Sequence, residues 1–588
     1  MKGAPKHTEG EMPIFLGWDR PLADMAAEKL LEGREPAPGR PADLSKTLLI
    51  TPTKGAARAV NERLAELAAE KGAGLFPPTF LTADRAALAG SANRRLATEM
   101  EMNAAWAAVL SEAPTEMLKP LFPHGYDASS FQLVFNIAQA LAGLRRQLGE
   151  NGLGIAEALN KHADKIEETA RWEAMAGLEK LYLKKLADGG VEDPEAVKSD
   201  LTRSDAGFED FDRIILAFFP DPLPLVLSRV RTLSKTKRVE VWVGAEPGME
   251  AWFDEWGVPR ADKWAAEGEK LFDDDAGLMT MLCANSAQEL ARMSVNLVRE
   301  CAVDGGRPNL SDITITIPNE RLYPELKREL ARVRVPGSEA RLEVRSPSGE
   351  RLRNLRILRL LSPLKSLLLE GAFDAAARLA RHPDYLRHIQ RGLEADGKSV
   401  GGADILAAID EFRSKRIPDT WDAAIALSKR IGGPALAVLA EIGKTVAAYK
   451  AAPTTPAFLR DIFNAVFKDV PPDEASLGGV TFHEEAEAVN GALAEMEGEF
   501  MSGLIGKKDD CLRALENALS DRAIYPEGSR RALETTGWLE AQWMRTRHTI
   551  VAGVNEEHLP GSSMSDVFLP DSLRDALGMR CDRKRFAR

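Results

Sequence analysis

Four cysteines in 588 residues, Cys283, Cys301, Cys511 and Cys581, are too few to staple so long a chain and too far apart for a CxxC metal knuckle, so they read as buried free thiols. No apolar run reaches the ~18 to 20 residues that a membrane helix needs. The opening stretch MKGAPKHTEGEMP lacks the apolar segment of a secretion signal, which makes a cytoplasmic location the expectation and a membrane partner unexpected. A basic excess is missing as well. The formal net charge of −12 argues against a protein that coats nucleic acid, while leaving room for a local basic groove. Also absent is GxxxxGK followed by Ser or Thr, the loop whose backbone amides, lysine and hydroxyl hold phosphates and magnesium. His483-Glu484-Glu485 and His382-Pro383-Asp384 have no second histidine at helical spacing and are not metal motifs; His382 reads as part of a helix-ending turn.

What is present is an ordinary globular composition, 44% hydrophobic and 28% charged. At ~100 to 200 residues per domain the length predicts three or four packed units. Short apolar runs alternate with helical patterns. Residues 14–17 (IFLG) and 47–51 (TLLIT) read as strands. Pro21 suits the start of a helix ending near Glu32, and residues 34–44 form a Pro/Gly-rich loop. Ala57, Val60, Leu64 and Leu67, spaced by three and four, give the helix after the second strand one buried face. Leu75 to Thr82 is extended, and from about Asn93 to Gly190 the pattern is almost wholly helical.

Continuous apolar runs return at 211–222 (FDRIILAFFPDP) and 238–244 (RVEVWVG), as expected for strands buried on both faces of a parallel sheet. A second α/β unit is expected from residues 278–284 (LMTMLCA), followed by a helix opening on the capping box Ser286 and Glu289 with Leu290, Met293 and Leu297 as its buried stripe. Residues 312–318 (DITITIP) supply another strand, 351 to about 470 is mainly helical, and a last strand lies near Thr549 to Val554. Trp538 and Trp543 just before it read as core, not as a base-stacking platform.

Several segments carry a resemblance: 15–22 (FLGWDRPL), 48–64 (LLITPTKGAARAVNERL), 171–194 (RWEAMAGLEKLYLKKLADGGVEDP), 211–222, 380–386 (ARHPDYL), 405–419 (ILAAIDEFRSKRIPD) and 551–579 (VAGVNEEHLPGSSMSDVFLPDSLRDALGM). In type and order they resemble the AddB/RexB-type subunit of bacterial helicase-nuclease complexes, among the PD-(D/E)XK nuclease family proteins. The resemblance implies an α/β fold of two RecA-like, superfamily 1 helicase-like domains, each with a helical insertion. The first would occupy 1–92 and 191–277 with its insertion at 93–190. The second would occupy 278–350 and 480–588 with its insertion at 351–479. It also implies DNA as ligand, a partner of the AddA-like superfamily 1 helicase-nuclease type, a role in double-strand-break processing and recombinational repair, and a nuclease domain using magnesium downstream of Arg588.

Against that framework the nucleotide-handling residues are missing. Leu16 to Pro21 stands where a phosphate loop would be and has one glycine and no lysine. The strand at 214–219 ends in Ala217, Phe218 and Phe219, where a motor needs acids, and an apolar strand end cannot hold a hard cation. Asp221 follows in a Pro-rich turn. The expectation is therefore no cofactor and no catalytic or metal residue in this chain. Pro570-Asp571 with Asp582-Arg583-Lys584 matches the nuclease pattern in letters only, because Asp571 opens a helical pattern and not a strand hairpin. The basic cluster Arg580, Arg583, Lys584, Arg585 and Arg588 fits either an arginine-bearing motif or a solvated face. For DNA contact the helicase resemblance implies Thr53 and Lys54 in the loop after the second strand, with Arg58 one turn on as a further phosphate contact; the alternative is a loop that merely caps a helix. The competing function is a protein-only scaffold or adaptor without DNA binding.

Overall fold

The computed structural model describes residues 13–267, 280–301, 310–334, 342–346, 348–475, 479–525, 532–555 and 568–582. The chain is a mixed α/β protein built on two parallel sheets and a large helical body. Among the described residues no helix is long and apolar enough to cross a membrane.

The first sheet has strands β1 (Ile14–Phe15), β2 (Thr47–Thr51), β3 (Thr79–Thr82), β4 (Arg213–Ala217) and β5 (Arg238–Val243) in the order β1-β5-β4-β2-β3, every pairing parallel. Alternation along the strands sends Leu49, Ile215, Ala217 and Trp242 to one face and Leu48, Ile50, Ile214, Leu216 and Val241 to the other. Helices α1 (Leu22–Leu31) and α2 (Lys54–Glu70) cover the first face, and the helix Pro224–Leu233 covers the second. Burial on both faces explains the unbroken apolar runs. The one acid among them, Glu240, is held by Arg213 through Nε at 2.8 Å and Nη2 at 2.7 Å, and accepts the Trp242 indole N–H at 3.0 Å.

The second sheet has β6 (Ile313–Thr316), β7 (Glu343–Arg345), β8 (Ala532–Thr536) and β9 (His548–Val551) in the order β9-β6-β8-β7, again parallel. The expected strand at 278–284 is not formed by its described part, since residues 280–284 are irregular and 278–279 lie outside the described residues. The strand that fills the sheet instead is β8, whose residues reach it from more than 200 positions further along the chain.

The helical stretches 93–190 and 351–479 share one apolar core. It runs from Ala97 to Val191 and Leu352 to Leu519, and it takes in Leu569 to Met579. Helix continues past the expected limit, through Phe482–Met496 and Lys508–Ser520, and these helices belong to the same core.

α2 buries Val60 and Leu64 as expected, with Ala56 and Ala68 at the ends of the stripe in place of the half-buried Ala57 and Leu67. On the helix Ala287–Cys301 the stripe shifts by one position, burying Ala291, Ser294, Val295 and Val298 while Leu290, Met293 and Leu297 are half-buried. The capping box at Ser286 is half made: its Oγ accepts the Glu289 N–H at 3.1 Å, while the Glu289 carboxylate takes the N–H of Asn285 at 2.8 Å. Of the four thiols, Cys511 and Cys581 are buried, Cys301 is half-buried and Cys283 is exposed, so the expectation of uniform burial fails at the irregular segment before the helix.

Candidate nucleic-acid interface

The carboxyl ends of the strands in an open parallel sheet form the usual ligand-binding edge of α/β proteins. The loop after β2 lies there. Thr47 to Thr51 are wholly buried, Pro52 ends the strand, and Thr53 in extended conformation caps α2, its Oγ1 accepting the Ala56 N–H at 3.0 Å. Thr51 fastens the turn by donating its hydroxyl to the Thr53 carbonyl at 3.1 Å. Lys54 is the first residue of the helix and exposed, with its Nζ 5.9 Å from the centre of the Tyr525 ring. Arg58 is also exposed, one turn on, with Nε 3.9 Å from Glu62 Oε1. The structure thus brings Thr53, Lys54 and Arg58 to one helix start. Thr53 is engaged as a cap, though a hydroxyl that accepts one bond can still donate another.

The same edge is crossed by residues 537–545, which precede β9. The N–H of Leu22, first in α1, donates to the Gln542 carbonyl at 2.9 Å. Trp543 is fully buried in the core under α1 and α2 and meets Phe218 edge to face, with ring centres 5.3 Å apart. Arg545 pairs with Asp24 at 2.9 Å and also with Glu66. Glu540 rests on Gly55 so closely that a methyl group there would fall 2.3 Å from its Oε1. Trp538, one turn earlier, is 46% exposed. The two tryptophans therefore divide: Trp543 is core as expected, and Trp538 is surface.

Phe218 sits at the end of β4 with φ of 55°, a left-handed conformation uncommon for a bulky residue. That turn drives its ring inward between Trp242 and Trp543. Asp221, just beyond, is paired with Arg580, Oδ2 to Nε at 2.8 Å, so the described member of the basic cluster faces this turn. Arg583, Lys584, Arg585 and Arg588 lie outside the described residues. Asp571 and Asp582 do come together, but through the Asp582 backbone N–H donating to Asp571 Oδ1 at 2.8 Å, and Asp571 is the first residue of the helix Asp571–Ala576. Among the described residues no group of three or more His, Cys, Asp or Glu could hold a metal ion.

His382 precedes the helix Pro383–Ala395, its Nε2 within 3.0 Å of the Arg356 carbonyl, and burial lowers its pKa. Two acids in the helical body were not singled out by their sequence context. Glu179 accepts the N–H groups of Ile155 and Ala156, both at 2.9 Å, at the start of the helix Ile155–His162. Glu485 does the same for Arg356 and Ile357 at the start of Arg356–Lys365. Their signal is an acid on the apolar stripe of a helix, which spacing alone can flag. No protein-family model and no curated protein matches this chain.

Proposed function

We propose that the chain is a helicase-fold subunit of the AddB/RexB type that has no ATPase activity and binds DNA and a partner motor during double-strand-break processing. In this reading the two parallel sheets are two RecA-like domains with helical insertions, the partner is a superfamily 1 helicase-nuclease of the AddA type, and the setting is cytoplasmic. The observation that carries it is the closure of the first sheet's carboxyl edge by residues 537–545. The helix start where a phosphate would be held bonds to the Gln542 carbonyl, and the strand end where magnesium acids would stand is filled by Phe218 against Trp543. A nucleotide would have to displace a buried indole. DNA contact is assigned to Thr53, Lys54 and Arg58, which offer a hydroxyl, an ammonium and a guanidinium from one exposed helix start.

The purified protein is expected neither to bind nor to hydrolyse ATP in calorimetric and phosphate-release assays; turnover above background would overturn the inactive-site reading. Single-stranded oligonucleotides are expected to bind with affinity that falls with salt and is alike across sequences. Replacing Lys54 and Arg58 by alanine should make the salt slope shallower by about 0.7 for each phosphate that is no longer neutralised. A protein-only scaffold is the second reading, favoured by the Thr53 hydroxyl serving as a cap and by the acid resting on Gly55. Undetectable binding at low salt by the folded protein would select it.

A further inference from the structure

Residues 537–545 do more than fill the sheet edge: they hold a carboxylate against the loop assigned to DNA. Glu540 stands in the short helix Trp538–Ala541, and its position is fixed by the anchors that follow it. Immediately after it come the Gln542 carbonyl on the Leu22 N–H, the buried Trp543 and the Arg545 pair with Asp24. These anchors seat the carboxylate on Gly55, where an added methyl group would meet its Oε1 at 2.3 Å unless the side chain swung away. A negative charge is favoured at a helix start by the aligned peptide dipoles. A DNA phosphate approaching Thr53, Lys54 and Arg58 asks for the same location with the same sign of charge.

We propose that Glu540 is an intramolecular competitor of the DNA backbone, occupying the loop at residues 53–58 until a phosphate displaces it. This rests on the assignment of DNA contact to that loop. Like charges a few ångströms apart at a protein surface repel, so the carboxylate lowers affinity at low salt and its effect is screened as salt rises. Strand binding then requires Glu540 to swing away while Trp543 and Gln542 keep the segment docked.

The test uses the full chain and fluorescein-labelled oligothymidylate, titrated at several potassium chloride concentrations. Glu540→Gln keeps the shape and removes the charge. It is expected to tighten binding by about three- to ten-fold at low salt, with the gain shrinking as salt increases. In the double variant Glu540→Gln/Lys54→Ala the gain should vanish. Thermal melting of each variant alongside the parent establishes that the fold is kept. Equal or weaker binding by a folded Glu540→Gln variant overturns the competitor role while leaving DNA binding in place. A gain that survives Lys54→Ala also overturns it, by moving the effect away from this loop. Absence of binding by both parent and Glu540→Gln at low salt overturns the DNA assignment itself, and this proposal with it.

Discussion

The carboxyl edge of the first sheet and the helical body both close helix starts with groups from distant parts of the chain, but by different chemistry. At the sheet edge the closure is a segment with an aromatic anchor: Trp543 is wholly buried while Trp538 and Leu539 beside it are exposed. In the body the closure is a single buried carboxylate, Glu179 or Glu485, accepting two backbone N–H groups. The carboxylates differ in turn. Glu179 has Arg145 in a buried pair, and the same guanidinium reaches Asp193 at 3.0 Å, itself bonded by the Tyr182 hydroxyl at 2.8 Å. Glu485 has only the backbone donors at close range, because the Arg356 guanidinium is turned to Glu474 and, at 3.5 Å, to Asp384. An aromatic closure can be peeled at its rim, whereas a charged one is all or nothing.

That contrast breaks most sharply at Arg145. Replacing it by methionine keeps the bulk and leaves Glu179 and Asp193 buried without their cation, with an expected loss of about 3 to 5 kcal/mol. Hydrogen exchange should rise first in the helices between Phe131 and Leu201, which the cluster ties together. A variant that melts like the parent would mean the cluster is wetter than its burial indicates. Next in size is Trp543→Ala, which empties an aromatic site shared by both halves of the chain and should cost about 3 kcal/mol. Trp538→Ala, at the exposed end of the same segment, should stay within about 0.5 kcal/mol. Equal effects at the two tryptophans would refute the division into anchor and rim.

Glu485 sharpens the comparison through pH. Burial outweighs its backbone donors and pushes its carboxyl up to about 7, from the ordinary 4.5 that the unfolded chain regains. Between those values the folded form holds the extra proton, so stability falls as pH rises through the window, by about 3 kcal/mol in all. Glu485→Gln cannot ionise, and it keeps one acceptor oxygen where the carboxylate offers one to each N–H group. It should abolish this part of the decline in urea unfolding, leaving a pH-independent loss from the N–H that no longer has an acceptor. A decline of unchanged size in the variant would assign the pH dependence to other groups.

The fold was legible where residues are buried on both sides. β2, β4 and β5 are apolar runs and β6 is buried at every position, whereas the edge strand β9 buries Ile550 alone of its four residues. β8 was not legible, since its sequence ALETT has no such run and its place depends on pairing with β6 and β7. For the same reason the shared helical core could not be read: amphipathic stripes tell that a helix packs, not against which partner. At the candidate site, Thr53, Lys54 and Arg58 could be named from strand, loop and helix order. The partner segment could not, because Trp538 and Trp543 look alike in sequence and only docking onto α1 separates them. Glu540 was invisible until its contact with Gly55 was seen.

The smallest effect tests whether Thr53 is occupied by the helix or available to DNA. Its hydroxyl accepts the Ala56 N–H, so Thr53→Ala leaves that donor without its partner at the start of a 17-residue helix and should cost about 1 kcal/mol. Thr53→Asp restores a capping oxygen and with it the stability, but brings a second negative charge beside Glu540. If the hydroxyl served the helix alone, DNA affinity would follow stability, dropping slightly in Thr53→Ala and recovering in Thr53→Asp. If the loop also carries a phosphate, Thr53→Asp should be well folded and yet bind oligonucleotide more weakly than Thr53→Ala, because the added charge repels the backbone. Parallel melting curves and salt titrations on the two variants separate these cases, and a well-folded Thr53→Asp protein with parental affinity would remove the loop from the DNA path.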